Sequence, residues 1–284
     1  MSRSLPTRWT AIPRDIDLRL APHRAIMLAS IASFFGGGLV AWLALGLSGG
    51  QALLRGIAAG SAVFLTWVIA RELDPDQQGS AFVGLPLSAV VVIWTGGPDW
   101  LALFWVVTCL RIVNRSTGLE ARPLDTILLI GLGLVTGWRL SAFFVVLTAL
   151  ALGLDGFLQP GHRWHRAISV ILLLVGIALL ALGPISLSSL GPVELGVAAL
   201  GIGLYLGWTV IQPKVKSVED HTGETLRMPR LRAAQWLGAA IMVVALAMIG
   251  PSAIRSFSGL LAAMLGVALY GWGLRLGNRE PEYA

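Results

Sequence analysis

Two short polar stretches carry the densest chemistry in the chain. One reads Arg71-Glu72-Leu73-Asp74-Pro75-Asp76-Gln77-Gln78. The other reads Arg111-Ile112-Val113-Asn114-Arg115-Ser116-Thr117-Gly118 and runs on to Pro123-Leu124-Asp125. Each follows an apolar run. Carboxylates spaced as Asp74-x-Asp76 can share one hard cation such as Mg²⁺ through oxygen ligands. Arg111 and Arg115 are four apart, so a continuing helix puts them on one face, where they can clamp a phosphate. Arg71, Glu72, Asp74, Asp76, Arg111, Asn114 and Arg115 form the candidate substrate-binding set, and Asp74 and Asp76 the candidate metal pair. A plainer account is that Arg71 and Arg111 stop helices at headgroup level and favour the helix dipole, while neighbouring acids and bases pair. No catalytic residue is assigned, and a cofactor, Mg²⁺, is expected only if the chain is an enzyme.

The elements that must position these groups follow from composition. Of 284 residues, 56% are hydrophobic and only 13% charged, with a mean hydropathy of +0.77. A soluble domain carries about 25% charged residues, so most of this surface must face lipid. Apolar runs fall at 24–47, 51–70, 80–96, 99–113, 124–138, 140–154, 167–187, 193–212, 234–250 and 254–274. The expected fold class is all-α, a polytopic transmembrane bundle of about ten spans. A single membrane domain covers 24–275, with tails at 1–23 and 276–284. The fourth, fifth and sixth spans are short: a helix of 15 residues covers roughly 22 Å, less than the ~30 Å hydrocarbon layer.

Basic residues set the expected orientation. Of the 21 Lys and Arg, 18 fall in alternate segments: Arg3, Arg8, Arg14, Arg19 and Arg24; Arg71; Arg111, Arg115 and Arg122; Arg163 and Arg166; Lys214, Lys216, Arg227, Arg230 and Arg232; Arg275 and Arg279. Only Arg55, Arg139 and Arg255 fall in the others. By the positive-inside rule both termini are expected in the cytosol; the expected membrane is the cytoplasmic (inner) one. The expected partners are the lipid bilayer and anionic headgroups. Nucleic acid is excluded as a partner, because no basic stripe is interleaved with aromatics. The lone Cys109 supports neither a disulfide framework nor a thiolate metal site.

The middles of the spans hold no Asp, Glu, Lys, Arg or His, which weighs against a carboxylate-driven coupled transporter. His162 and His165 are spaced as a metal pair but lack a third ligand nearby. Small residues four apart, Gly56 with Gly60 and Ala199 with Gly203 and Gly207, predict close helix packing.

The acidic stretch resembles the first Asp-rich motif of membrane prenyltransferases of the UbiA type, which follows their second span; Asp155, after the sixth span, stands where their second motif falls. The resemblance covers about ten residues and departs from the family pattern: no Asn precedes the acids, their spacing is two rather than four, and Asp155 stands alone. It implies a prenyl-diphosphate or phosphorylated-lipid enzyme at the cytosolic face. Ten spans with both ends inside also match the topology of drug/metabolite-type transporters. The leading expectation is a permease or exporter for a small neutral or amphipathic solute. The alternatives are the membrane enzyme and a structural or assembly subunit of a membrane complex.

Overall fold

The computed structural model describes residues 9–14, 16–183 and 187–277. Arg3, Arg8 and Arg279 lie outside the described residues. Among those described, twelve helices occur: α1 (Ala21–Leu43), α2 (Gly49–Leu73), α3 (Gln78–Val83), α4 (Leu85–Thr95), α5 (Trp100–Asn114), α6 (Pro123–Arg139), α7 (Phe143–Phe157), α8 (Arg163–Leu182), α9 (Pro192–Ile211), α10 (Met228–Ile249), α11 (Ser252–Ser256) and α12 (Ser258–Leu276). The only strand-like feature among them is an isolated bridge between Val218 and Thr225. The protein is all-helical.

Among the described residues, seven helical stretches are long and apolar enough to cross a membrane: α1, α2, the α3–α4 pair, α8, part of α9, α10 and α12. Each apolar run read from the sequence overlaps helix among the described residues, the third and tenth each as two helices, α3–α4 and α11–α12; residues 184–186 of the seventh lie outside the described residues. The runs that fall short are those of α5, α6 and α7, the same three whose length was in question.

Local chemistry explains the boundaries. Ser48 caps α2 in a reciprocal capping box with Gln51. Proline occupies the first turn of α1, α4, α6 and α9, where its missing N–H costs nothing. Pro75 follows the C-cap of α2 and ends it. The third apolar run is broken at Gly84, where a Cβ would collide with the Ala262 carbonyl of α12.

The chain divides into two compact units. The first comprises residues 1–15, 104–189 and 213–249; the second comprises 16–103, 190–212 and 250–284. In the first, α7 packs on α6, α8 and α10. In the second, α2 is the central helix, with α1, α4 and α12 against it, and α12 also carries α3 and α9.

The Gly56–Gly60 expectation holds. A Cβ at Gly56 would lie 2.5 Å from the Phe34 carbonyl oxygen, and one at Gly60 2.8 Å from that of Ser30. The glycines therefore let α1 and α2 approach backbone to backbone. The Ala199–Gly203–Gly207 stripe is corrected in part: Gly207 meets Trp272 of α12, 3.4 Å from where its Cβ would be. Gly203 has nothing within 4 Å of where its Cβ would be, and Ala199 is exposed. The packed face of α9 is offset by a few residues and runs through Gly201, Tyr205 and Trp208: Gly201 meets Leu265 of α12, and Trp208 covers Gly271. Spacing alone marks a stripe but not which of two neighbouring stripes carries the larger side chains.

Candidate functional site

Among the described residues, each unit contains a buried polar cluster around an aspartate. In the first unit the centre is Asp155, two residues before the last residue of α7 and just past its apolar run; it has no exposed surface. Arg115 grips it bidentately, Nε to Oδ1 at 2.7 Å and Nη2 to Oδ2 at 3.0 Å. Arg230 adds Nη1 to Oδ1 at 2.9 Å, and His165 Nδ1 meets Oδ2 at 2.7 Å. Beyond the ring, His165 Nε2 lies 2.8 Å from the Thr126 hydroxyl. Arg230 also donates to the carbonyls of Val113, Leu158 and Pro160 at 2.9, 2.7 and 2.6 Å. Burial opposes ionisation of Asp155, but the bonds from His165 and Arg115 and the two guanidinium charges outweigh it and hold its carboxyl well below the usual range.

The turn that delivers Arg115 is costly. It follows the last residue of α5 with φ of +51°, a left-handed conformation worth roughly 1–2 kcal/mol against a side chain. The buried ion pair compensates. The carboxylate–imidazole–hydroxyl order of Asp155, His165 and Thr126 resembles a nucleophile relay in sequence of groups. Here all three members are buried, and two arginines hold the acid, so the arrangement braces α6, α7 and α8. His165 stacks on His162 at 4.2 Å. Burial, then the neighbouring His165, lowers the His162 pKa.

The remaining predicted residues of this unit are placed as follows. Arg115 Nη1 is 3.5 Å from Glu120. Arg111 donates to the Ile12 carbonyl at 3.0 Å, and Asn114 is buried. Asp125 accepts from the backbone N–H groups of Ala11 and Arg122, both at 2.8 Å, and from the Thr10 hydroxyl. The 9–14 segment is thereby tied to the start of α6.

In the second unit the cluster lies at the C-terminal end of α2. Glu72 and Asp74 have no exposed surface, and Asp76 is buried. Gln212, just past α9, donates Nε2 to Asp74 Oδ1 at 3.2 Å. Asp74 Oδ2 has no hydrogen-bond partner, nor has Gln77 Oε1, although both side chains are buried. The Trp208 indole N–H is close enough to act on Asp74, yet it does not reach hydrogen-bond geometry. Burial first, then the charge of Asp76, pushes the Asp74 pKa up to about 7 against the attraction of Arg71. No group of three or more His, Cys, Asp or Glu is arranged to hold a metal among the described residues.

The same unit carries an apolar groove between α1 and α2, with a volume of about 740 Å³. Its walls include Met27, Phe34, Phe35, Ile57 and Phe64. Two hydroxyls lie in it. Ser61 bonds back to Ile57 of its own helix, and Ser30 Oγ has no partner.

The seven residues singled out by sequence thus divide between two units: Arg71, Glu72, Asp74 and Asp76 in one, Arg111, Asn114 and Arg115 in the other. Sequence reasoning missed Arg230, Thr126 and Gln212, and it noted His165 only for its spacing from His162. A signal existed for the first of these: a lone acid beside an apolar run needs a cation. Nothing in the order of residues singled out Arg230 among its basic neighbours.

Compared with known proteins, the chain matches no family model, no curated sequence and no solved structure at significance.

Proposed function

We propose that this multi-pass membrane protein is a permease or exporter for a small neutral or amphipathic solute. In this reading it crosses the cytoplasmic membrane ten times with both termini cytosolic, as the distribution of Lys and Arg favours. The observation that carries the functional part is the α1–α2 groove. It is lined by aliphatic and aromatic side chains and two serine hydroxyls, with no charged residue. The groove is open along one side, where Ile31, Phe35 and Ile57 are exposed, and its lining suits an amphipathic ligand that lies along the two helices and makes one or two directed polar contacts. The unpartnered Ser30 hydroxyl offers such a contact.

The competing reading, an enzyme acting on a phosphorylated lipid, needs guanidinium groups available to a phosphate. Arg115 already places Nε and Nη2 on Asp155 and Nη1 near Glu120. That engagement favours the permease.

The test uses protein reconstituted in vesicles and a neutral, environment-sensitive fluorophore. Ser61→Phe fills the groove at a residue whose side chain bonds only within its own helix. Protein-dependent dye flux is expected, slowed several-fold by Ser61→Phe at an unchanged thermal midpoint. Equal flux in vesicles with wild type, variant or no protein would sink the reading.

A further inference from the structure

We infer that the α1–α2 groove seats an anionic phospholipid, with one acyl chain between the helices and the phosphate on Arg19 and Arg24. The permease reading shares the groove, but seating a lipid needs no transport. The apolar half of the site is its lining, to which Ile16, from the segment ahead of α1, contributes. Ile31, Phe35 and Ile57 are exposed, so the groove opens sideways along helices long and apolar enough to span a membrane. An exposed apolar surface of this kind meets lipid, and an acyl chain enters the slot without leaving hydrocarbon.

Helix periodicity fixes what stands beyond the end of the groove. The α1 residues in its wall include Met27, Ser30, Ile31 and Phe34, spaced by three and four. The same stripe, continued one turn toward the N-terminus, reaches His23 and Arg24. Side chains on a helix tilt toward its N-terminus, so the Arg24 guanidinium stands off the apolar wall. Its Nη1 lies 3.5 Å from the Arg19 carbonyl, which keeps the two residues adjacent. Both are exposed, and no carboxylate among the described residues pairs with either. Asp17 is the one acid in 16–24, and its Oδ1 takes the Arg19 backbone N–H at 2.9 Å. From α2 the neighbour at this end is Trp67, beside Phe64 and edge-on to His23, which adds no charge. An apolar slot that ends at two exposed guanidinium groups is complementary to a molecule with an acyl chain and an anionic head. A phosphodiester offers oxygens to both arginines at once, and anionic lipids are held at membrane surfaces by such groups. A neutral lipid leaves them unused.

The experiment is a competition on the full chain. Purified protein in detergent is offered equal amounts of phosphatidylglycerol and phosphatidylcholine with the same acyl chains, and retained lipid is counted by native mass spectrometry. Wild type is expected to retain phosphatidylglycerol several-fold over phosphatidylcholine, less so as salt rises. The double variant Arg19→Gln, Arg24→Gln should bring the two lipids to parity. The double variant Arg163→Gln, Arg232→Gln removes the same charge from exposed residues elsewhere and should keep the preference. Ser61→Phe, which fills the groove, should lower retention of both lipids. Equal thermal midpoints in lipid-free detergent show that the variants fold. No preference in wild type, a preference that survives loss of Arg19 and Arg24, or an equal fall in the Arg163 and Arg232 variant overturns the inference. So does retention indifferent to Ser61→Phe. A protein dimer dissolved by Ser61→Phe names a second copy as the occupant and overturns it too. Dye flux without lipid preference overturns the lipid site alone, whereas lipid preference without protein-dependent flux removes the permease reading alone.

Discussion

Arg115 holds both oxygens of Asp155, Nε at 2.7 Å from Oδ1 and Nη2 at 3.0 Å from Oδ2, from a residue whose own backbone is left-handed. The pair joins the end of α5 to the end of α7, and neither side chain has meaningful exposure. Asp155→Asn leaves two buried guanidinium groups facing a neutral amide. Breaking a buried pair this way costs about 3–5 kcal/mol. Arg115→Lys loses the two-point grip and should fall part-way. Thermal midpoints in detergent check the order: wild type above Arg115→Lys above Asp155→Asn.

Asp74 gives stability a pH dependence of opposite sign to the usual carboxylate. Its folded pKa is about 7, above the ordinary 3.8. As pH rises between these values the unfolded chain sheds its proton while the folded chain keeps it. Stability therefore falls through this window, on the order of 4 kcal/mol in full, and levels off above neutrality. Asp155 works the other way, but its contribution is lost only as pH falls through its depressed value. Wild type should melt at lower temperature at pH 8 than at pH 5, and Asp74→Asn should show a much smaller difference.

Two glycines on different helices should respond differently to the same substitution. Gly60→Leu forces α1 off α2, because the new side chain meets the Ser30 backbone. Overpacking of this kind costs about 1–3 kcal/mol. Gly203→Leu enters open space, and as a gain in helix propensity it should be neutral or slightly stabilising. A similar loss at both positions would contradict the observed offset of the α9 packing face.

Orientation can be read chemically. Lys214 is exposed in the loop between α9 and α10, and the native Cys109 is buried. A Lys214→Cys variant should resist a membrane-impermeant maleimide in intact cells and react once the cells are opened. Ready labelling from outside reverses the proposed topology.

The helices were legible because long, predominantly apolar runs leave few alternatives, and prolines and the Ser48 box mark their starts. The polar clusters were legible only in part. Asp74 and Asp76 stood out by spacing, but which oxygen lacks a donor depends on Gln212, 138 residues away. The four-residue spacing of Arg115 from Arg111 is a helical relation. The chain instead turns left-handed there and sends Arg115 to Asp155, while Arg111 binds the Ile12 carbonyl. Periodicity describes neighbours along one helix; the partners that decide the chemistry come from other helices.

Arg230 sets an order of events for the first unit. It stands in the first turn of α10 and bonds Asp155 as well as the Val113, Leu158 and Pro160 carbonyls, which precede it by 70 to 117 residues. A chain made from its N-terminus exposes those groups long before their donor exists. Until α10 leaves the ribosome, the ends of α5 and α7 keep unmet carbonyls, and Asp155 depends on Arg115 and His165. Arrival of residue 230 is the latch of biogenesis for this unit, so a nascent chain halted before Met228 should remain a substrate for membrane quality-control proteases.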